Sequence, residues 1–396
     1  MKNKKILFIE ICNFIDYPTG GHLSFAKNMI YAFGNELMLV GSTTDNNDPI
    51  GKWFKKEIDG VLFDYFAIKR INKTSKKPII PSRISSYIWL KKYIKEIFKR
   101  NDFDIVLVQT PEVLLASKKY LKRNTIIEMP GIENPLSISR YKIGRLFSYF
   151  YDYFFFKLVE RKYLFLAAAD TKSINSFVDR SKGKIVLENV KQFPNTFNQD
   201  FFKVRNKKEV REQLNIPIDV NLIVTVGRLN WFKGWKFMID SFNLFLKEKP
   251  NSIFYFIGDG EDETSISLYI DELKLGEKVK LIGRKEFEEL GLFLSASDLF
   301  IMGSYKEGWS TSLVEAIASG LPCVVTDFSS ARDLVKDGVN GYVLDNRNEY
   351  NFFQKMNLAL GISGNVLLDE VEKIKTLSIN NLKENFYDKI NSWYGH

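Results

Sequence analysis

Short, unbroken apolar runs recur along the chain, each followed by a glycine-bearing or polar loop and then by a longer segment whose apolar residues return every three or four positions. The first run, KKILFIEIC (residues 4–12), leads through such a loop into an apolar-periodic segment, which predicts a strand–loop–helix unit. Further strand-like runs at 37–40, 105–109 and 125–128 are separated by stretches long enough for crossover helices, so the first half reads as an open α/β sheet. The rhythm returns in the second half, with runs at 222–226, 253–257, 279–282, 299–302, 322–326 and 341–344, which predicts a second, Rossmann-like sheet.

Between the two rhythms the pattern loosens. Residues 190–206 (VKQFPNTFNQDFFKVRN) read as a linker before a helix at REQLNIP, which predicts one domain over 1–190 and another over 191–374. Residues 375–396 read as a final helix able to cross back to the first domain. A length of 396 residues suits two domains better than one core. Residues 69–83 (KRINKTSKKPIIPSR) read as a basic surface loop, either simply solvated or a hinge approaching an anionic acceptor. Residues 142–169 have helical spacing, with Leu146, Phe150, Phe154 and Leu158 at four-residue steps and Tyr149, Tyr153 and Phe156 off that stripe. Interspersed charges exclude a membrane-spanning helix, leaving core or domain-interface packing, or contact with a membrane surface.

Composition sharpens this picture in three ways. Cys12 and Cys323 lie in apolar runs without CxxC or Cys/His company, so both are expected to be buried free thiols of a cytoplasmic protein, with no signal peptide ahead of the first strand. Only two histidines, His22 and His396, are present, which leaves no basis for a histidine-built metal site. The net charge of +9 is uneven: residues 1–190 hold 32 Lys+Arg against 19 Asp+Glu, or +13, while the remainder is −4. A basic first half could face anionic lipid, nucleic acid or an acidic substrate, and the lack of nucleic-acid motifs puts lipid first.

The chemistry concentrates in GSYKEGWSTSLVEAIASGLPCVVTD (residues 303–327), where a helix is expected to begin near Thr311 or Ser312. Its unpaired N–H groups and dipole can receive diphosphate oxygens on the backbone of Ser310, Thr311, Ser312 and Leu313 without a metal. Glu307, ahead of the helix, can accept hydrogen bonds from sugar hydroxyls, and Glu315, one turn inside, from a ribose diol; a capped surface helix is the plainer alternative. Upstream, VGRLNWFKG places Arg228 and Lys233 after a strand, where cations can neutralise a diphosphate leaving group. Gly258, Gly260 and Gly283 end successive strands and permit close approach of a base or sugar, or simply turns. Gly20 and Gly21 open the first helix beside His22, which can meet phosphate or sugar, or merely cap the helix. Asp102-Phe103-Asp104 precedes an apolar run and reads as a strand-entry cap, with a D-x-D metal site as the lesser alternative.

In order, GGHLSFAKNM, VGRLNWFKG, IGDGED, LIGR, ASDLFIMGSYKEGWSTSLVEAIASGLPCVVTD and VKDGVNGYVL resemble the retaining GT-B glycosyltransferases of the family 4 type (glycosyl transferases group 1), most specifically over residues 215–345. The resemblance implies an α/β GT-B architecture of two Rossmann-like domains facing a cleft and a metal-independent reaction that retains anomeric configuration. It needs no cofactor beyond a nucleotide diphosphate sugar as co-substrate. Carried over by position, Arg228 and Lys233 grip the diphosphate, Glu307 the donor sugar and Glu315 the ribose. Gly308, Trp309 and the segment through Leu313 hold sugar and phosphate, with Gly20, Gly21, Gly258 and Arg284 also on the donor side. The family's acceptor-side histidine is missing from IIEMPGIENP, where Glu128 and Glu133 stand instead, so these and His22 are the acceptor-side candidates. The expected function is hexosyl transfer to a glycan or lipid-linked acceptor in cell-surface polysaccharide synthesis, in the cytoplasm or peripheral on the inner membrane face. Two other readings fit the same motifs: a nucleotide-sugar epimerase of GT-B-like fold, and a noncatalytic nucleotide-sugar or glycan-binding partner.

Overall fold

The computed structural model describes residues 4–18, 21–73, 82–132, 134, 148–160 and 163–394. The chain divides into two compact units, one of residues up to Pro194 together with those from Leu382 onward, the other of residues from Asn195 to Asn381.

The first unit is built on eight strands, β1 (Ile6–Ile9), β2 (Leu37–Thr43), β3 (Trp53–Ile58), β4 (Val61–Arg70), β5 (Ile105–Val108), β6 (Thr125–Met129), β7 (Leu164–Ala167) and β8 (Val190–Gln192). Their order in the sheet is β3-β4-β2-β1-β5-β6-β7-β8, parallel throughout except for the β3–β4 hairpin. From β1 the chain moves outward to β2 and later returns to the other side as β5. This reversal makes the carboxyl ends of β1 and β5 a topological switch point, the place where parallel sheets open a crevice for ligands. The helices of this unit are α1 (Gly21–Phe33), α2 (Ser82–Ile97), α3 (Pro111–Ser117), α4 (Ser148–Val159) and α5 (Thr171–Arg180). The final helix, Leu382–Tyr394, returns to the same unit: Phe386 packs edge-on against Phe33 at 5.3 Å, and Lys383 Nζ lies 2.6 Å from Glu36 Oε1.

Three expectations for this half are corrected. Helical spacing over 142–169 gives way after Val159, and Leu164–Ala167 is a fully buried strand between β6 and β8. An apolar run this short fits a buried strand as well as a helix, and two ladders of backbone hydrogen bonds decide the matter. The linker expected from residue 190 begins as the edge strand β8. Residues 69 and 70 close the long strand β4 rather than open a loop, and α2 starts at Ser82; residues 74–81 lie outside the described residues. The β3–β4 hairpin was unforeseen although its signal is present: Asp59 and Gly60, at φ 50° and 77°, form the two-residue Asp-Gly turn that matches strand twist.

The second unit holds β9 (Asn221–Val226), β10 (Ser252–Ile257), β11 (Val279–Gly283), β12 (Leu299–Met302), β13 (Cys323–Thr326) and β14 (Gly341–Leu344), ordered β11-β10-β9-β12-β13-β14 and all parallel. Every expected run in this half is a strand. Helices α6 (Lys207–Gln213), α7 (Trp235–Glu248), α8 (Glu263–Glu272), α9 (Phe287–Ala296) and α10 (Thr311–Ala318) flank the sheet. Phe242, Phe245, Phe254 and Phe256 are buried together, each contributing about 1.5–3 kcal/mol by leaving water. The switch point of this sheet lies between β9 and β12.

Candidate active site

At the carboxyl end of β9 the chain passes through Gly227 and Arg228 into a 3-10 turn, Trp231–Lys233, before α7 begins. Gly234 joins the two at φ 68°, and a Cβ there would stand 1.9 Å from the carbonyl oxygen of Gly303, at the end of β12. Gly258, at the end of β10 with φ 144°, approaches Gly227 as closely, its Cβ position falling 2.0 Å from the Gly227 oxygen. Side chains at these positions would push the loops apart, so the glycines draw three strand ends into one cluster.

That closeness puts Lys233 Nζ 2.6 Å from Glu307 Oε1 across the switch point, and Ser304 Oγ donates to the same oxygen at 2.6 Å. Both partners keep some access to solvent, with side chains 27% and 15% exposed, so a ligand can reach them. Arg347 braces the loop beneath by donating to the Gly303 oxygen at 2.6 Å and to the Ser304 oxygen, and its guanidinium stacks 3.6 Å from the Tyr305 ring centre. Arg228 lines the same crevice as Lys233, but its Nε meets Glu261 Oε2 at 3.0 Å.

The segment through Glu307 continues to α10. Ser310 is its N-cap, accepting from Leu313 N at 3.4 Å, while its own N–H donates to Ser330 Oγ. Asn195 Nδ2 holds the turn by donating to the Trp309 oxygen at 3.0 Å and to Thr311 Oγ1 at 3.3 Å. No carbonyl of the helix can reach the N–H groups of Thr311 and Ser312, which therefore face outward as anion donors. Glu315 is buried one turn on, and burial pushes its carboxyl up to about 8. At neutral pH it is largely protonated and can both donate to and accept from a hydroxylated ligand.

The first unit has its own polar pocket, also at a switch point. Glu10 follows β1, Gln109 and Thr110 follow β5, Glu128 lies within β6, and His22 stands on the first turn of α1. His22, Gln109 and Thr110 line a cavity of about 110 Å³ together with Arg83, and the two carboxylates are buried behind its wall. The Gln109 side-chain amide donates to Glu128 Oε2, and His22 Nδ1 lies 3.8 Å from Glu10 Oε2. Burial raises both Glu10 and Glu128 to about 8, and burial followed by the charge of Arg83 lowers His22. The Glu10–His22 contact at neutral pH is thus between two predominantly uncharged groups. Among the described residues, Glu10 Oε2 and His22 Nδ1 are shielded from solvent without a hydrogen-bond partner, a cost that a buried polar pair rarely carries.

A family profile described as glycosyl transferases group 1 matches residues 206–365, nearly the whole second unit. The second unit is a group 1 glycosyltransferase domain. An uncharacterized glycosyltransferase of Methanocaldococcus jannaschii is 28% identical over 69% of this chain and 66% of its own length. An Escherichia coli UDP-Gal:alpha-D-GlcNAc-diphosphoundecaprenol alpha-1,3-galactosyltransferase is 26% identical over 37% of this chain and 38% of its own. The matches therefore span less than two thirds of either relative. Among solved structures, Anabaena HepE in complex with UDP and glucose superposes with a TM-score of 0.72 at 17% identity, covering 98% of this chain and all of that one. The fold is accordingly GT-B, with two Rossmann-like units.

Against that family, Lys233, Glu307, Gly258, Gly308 and the turn from Trp309 to Leu313 all belong to the strand-end loops and helix start of the glycosyltransferase domain. Arg228 is engaged with Glu261, and Arg284 is exposed on the loop after β11, whose Gly283 oxygen accepts from Gly258 N. In the first unit Gly21 opens α1 and is exposed, whereas Gly20 and Glu133 lie outside the described residues. Residues not singled out from the sequence are Glu10, Gln109 and Arg347. Glu10 carried a usable signal, since a carboxylate ending an apolar strand is rarely buried without purpose. Arg347 had none, because only the fold brings it beneath Gly303. Asp102 and Asp104 pair with Arg100 and with the Lys5 backbone at the entry to β5.

Proposed function

We propose that the chain is a retaining, metal-independent glycosyltransferase that moves a hexosyl group from a nucleoside diphosphate sugar to a glycan or lipid-linked acceptor in cell-surface polysaccharide synthesis. The observation that carries this reading is the Lys233–Glu307 pair set across the β9/β12 switch point, on the segment that enters the amino terminus of α10. Lys233, Arg228 and the N–H groups of Thr311 and Ser312 supply positive charge for a diphosphate. Glu307 accepts from sugar hydroxyls while Lys233 and Ser304 hold it in place. Glu315 takes the ribose.

In the reaction the bond from the anomeric carbon to the β-phosphate oxygen breaks and one forms to the acceptor oxygen. The acceptor proton leaves with the diphosphate, whose growing charge the cations and the helix start stabilise. His22 orients the acceptor hydroxyl in the first unit with Glu10 behind it and Glu128 fixing Gln109, in place of the histidine missing from IIEMPGIENP. The Escherichia coli relative's diphosphoundecaprenol-linked substrate supports a lipid-linked acceptor, and with it a cytoplasmic location at the inner membrane face. No helix among the described residues is long and apolar enough to cross a membrane.

The test is a panel of UDP-, GDP- and dTDP-sugars, read first by thermal shift and then by nucleotide release in chelator with polyprenyl-diphosphate-linked acceptors. A donor that stabilises the protein and yields a glycoside of unchanged anomeric configuration is the expected result. A product still attached to the nucleotide indicates epimerisation, and stabilisation without release or hydrolysis indicates a noncatalytic binder; either outcome overturns the proposal.

A further inference from the structure

We infer that Trp231 and Tyr305 form a stacking platform for a pyranose ring of the acceptor glycan, carried by the second unit beside the Lys233–Glu307 pair. Trp231 precedes Lys233 by two residues and Tyr305 precedes Glu307 by two, and two residues span at most about 7 Å, so both rings stand next to that pair. The Tyr305 N–H donates to the Phe232 oxygen at 2.7 Å, which ties the two loops together. Phe232 covers one side of Trp231, with ring centres 3.9 Å apart and planes 27° from parallel, and the Arg347 guanidinium backs Tyr305. Trp231 and Tyr305 meet each other at 5.7 Å and 57°. They remain 50% and 52% exposed, two large rings held from behind and open to solvent in front.

The place of the rings decides what covers them. From the β9/β12 switch point the chain steps to β10 in one direction and to β13 in the other, so right-handed crossovers set α7 and α10 on opposite faces of the sheet. The platform lies on the α7 face, where Arg347 also approaches the Phe237 ring at 5.7 Å, whereas Glu315 stands on α10. With the ribose at Glu315, the nucleoside belongs to one face and the platform to the other. Neither ring lines the crevice that holds Lys233, which leaves the platform to a sugar approaching from outside it. A pyranose suits the rings because its axial C–H bonds form an apolar face that the electron-rich face of an aromatic ring attracts, while its hydroxyls stay in water. The inference deepens the transfer reading and rests on it for the roles of Glu307 and Glu315.

The experiment follows the full chain, labelled with fluorotryptophan, by fluorine NMR, the Trp231 resonance being identified by its loss in Trp231→Phe. Methyl β-glucoside, methyl β-galactoside and methyl β-N-acetylglucosaminide are titrated with and without UDP. The Trp231 signal is expected to shift with at least one glycoside and not with UDP alone. Affinity for that glycoside, read from the sugar's own NMR signals, should fall about tenfold in Trp231→Ala and stay within about threefold of the parent in Trp231→Phe. The thermal shift given by UDP should be unchanged in both variants. No Trp231 shift with any of the glycosides, or a Trp231→Ala protein that binds them like the parent, overturns the inference. So does a shift that UDP alone produces, which would mark base stacking, or one that UDP-glucose produces and the glycosides do not, which would mark the donor's own sugar. Glycoside binding at Trp231 without nucleotide release in any transfer assay would instead count against the transfer reading alone.

Discussion

Replacing Lys233 by Met keeps an unbranched side chain beside Gly227 while removing the charge that faces Glu307. A diphosphate oxygen about 4 Å from that ammonium would gain about 4 kcal/mol at an effective dielectric near 20. Partial exposure discounts this figure, and losing one such donor from a preorganised site costs about 10²–10³-fold in rate. The expected result is therefore a fall of about 10²–10³-fold in kcat/KM, followed as nucleotide release at saturating acceptor. Stability should fall by only about 1–3 kcal/mol, because Glu307 keeps the Ser304 hydroxyl and some solvent contact. Lys233→Arg should recover part of the rate, since it restores charge without the point geometry. A folded Lys233→Met protein within about tenfold of the parent would refute the argument, because the observed pairing would then be a structural ion pair and nothing more.

Gly234→Ala should destabilise the second unit by more than about 2 kcal/mol in denaturant titration, since it combines a left-handed backbone with a clash on the Gly303 carbonyl; Gly276→Ala, at an open and exposed position, should be neutral. The Glu315 carboxyl, raised from its ordinary 4.5 to about 8, favours the folded state in its neutral form, so its contribution is complete below about pH 4 and declines as pH rises towards 8. Glu315→Gln should accordingly gain stability relative to the parent at pH 8 but not at pH 5, and parallel curves across that range would remove the assignment. Glu10→Gln should depress transfer to the acceptor while leaving donor hydrolysis in its absence unchanged; equal loss of both activities would place Glu10 outside acceptor binding.

The six strands of the second unit were readable because each centres on a short apolar run bounded by glycine or polar residues, as in NLIVTVG and SIFYFIG, with only the charged Lys280 of β11 breaking a run. The first unit was harder for identifiable reasons. Its hairpin WFKKEI-DG-VLFDYFAIKR mixes charges into strands at the sheet edge, where β3 stays partly exposed, so β3 forms no apolar run and that of β4 is interrupted at Asp64. LFLA follows an aromatic helix almost directly and inherits that helix's periodicity. In both cases the decisive term is pairing with strands distant in sequence, which no local window contains.

The residues proposed for the donor side were legible for a related reason. Parallel strands of an α/β sheet deliver their carboxyl ends to one edge, so a cation, a glycine or a carboxylate just after an apolar run is already placed near its counterparts. What spacing could not show is which loops touch. The contact of Gly234 with Gly303 sets Lys233 against Glu307 and not against Glu261, which Arg228 takes instead. Neither cation is idle without a ligand, and each holds a carboxylate that an arriving diphosphate must compete with. Releasing Arg228 costs little, because an ion pair with a side chain 70% exposed contributes no more than about 1 kcal/mol. Lys233 is better anchored, and Glu307 can keep its bond to Lys233 while turning its remaining acceptor capacity towards sugar hydroxyls. Diphosphate contact through Arg228 therefore requires side-chain movement, whereas sugar contact through Glu307 is preorganised, and the two steps should separate as a salt-dependent Kd and a salt-insensitive kcat.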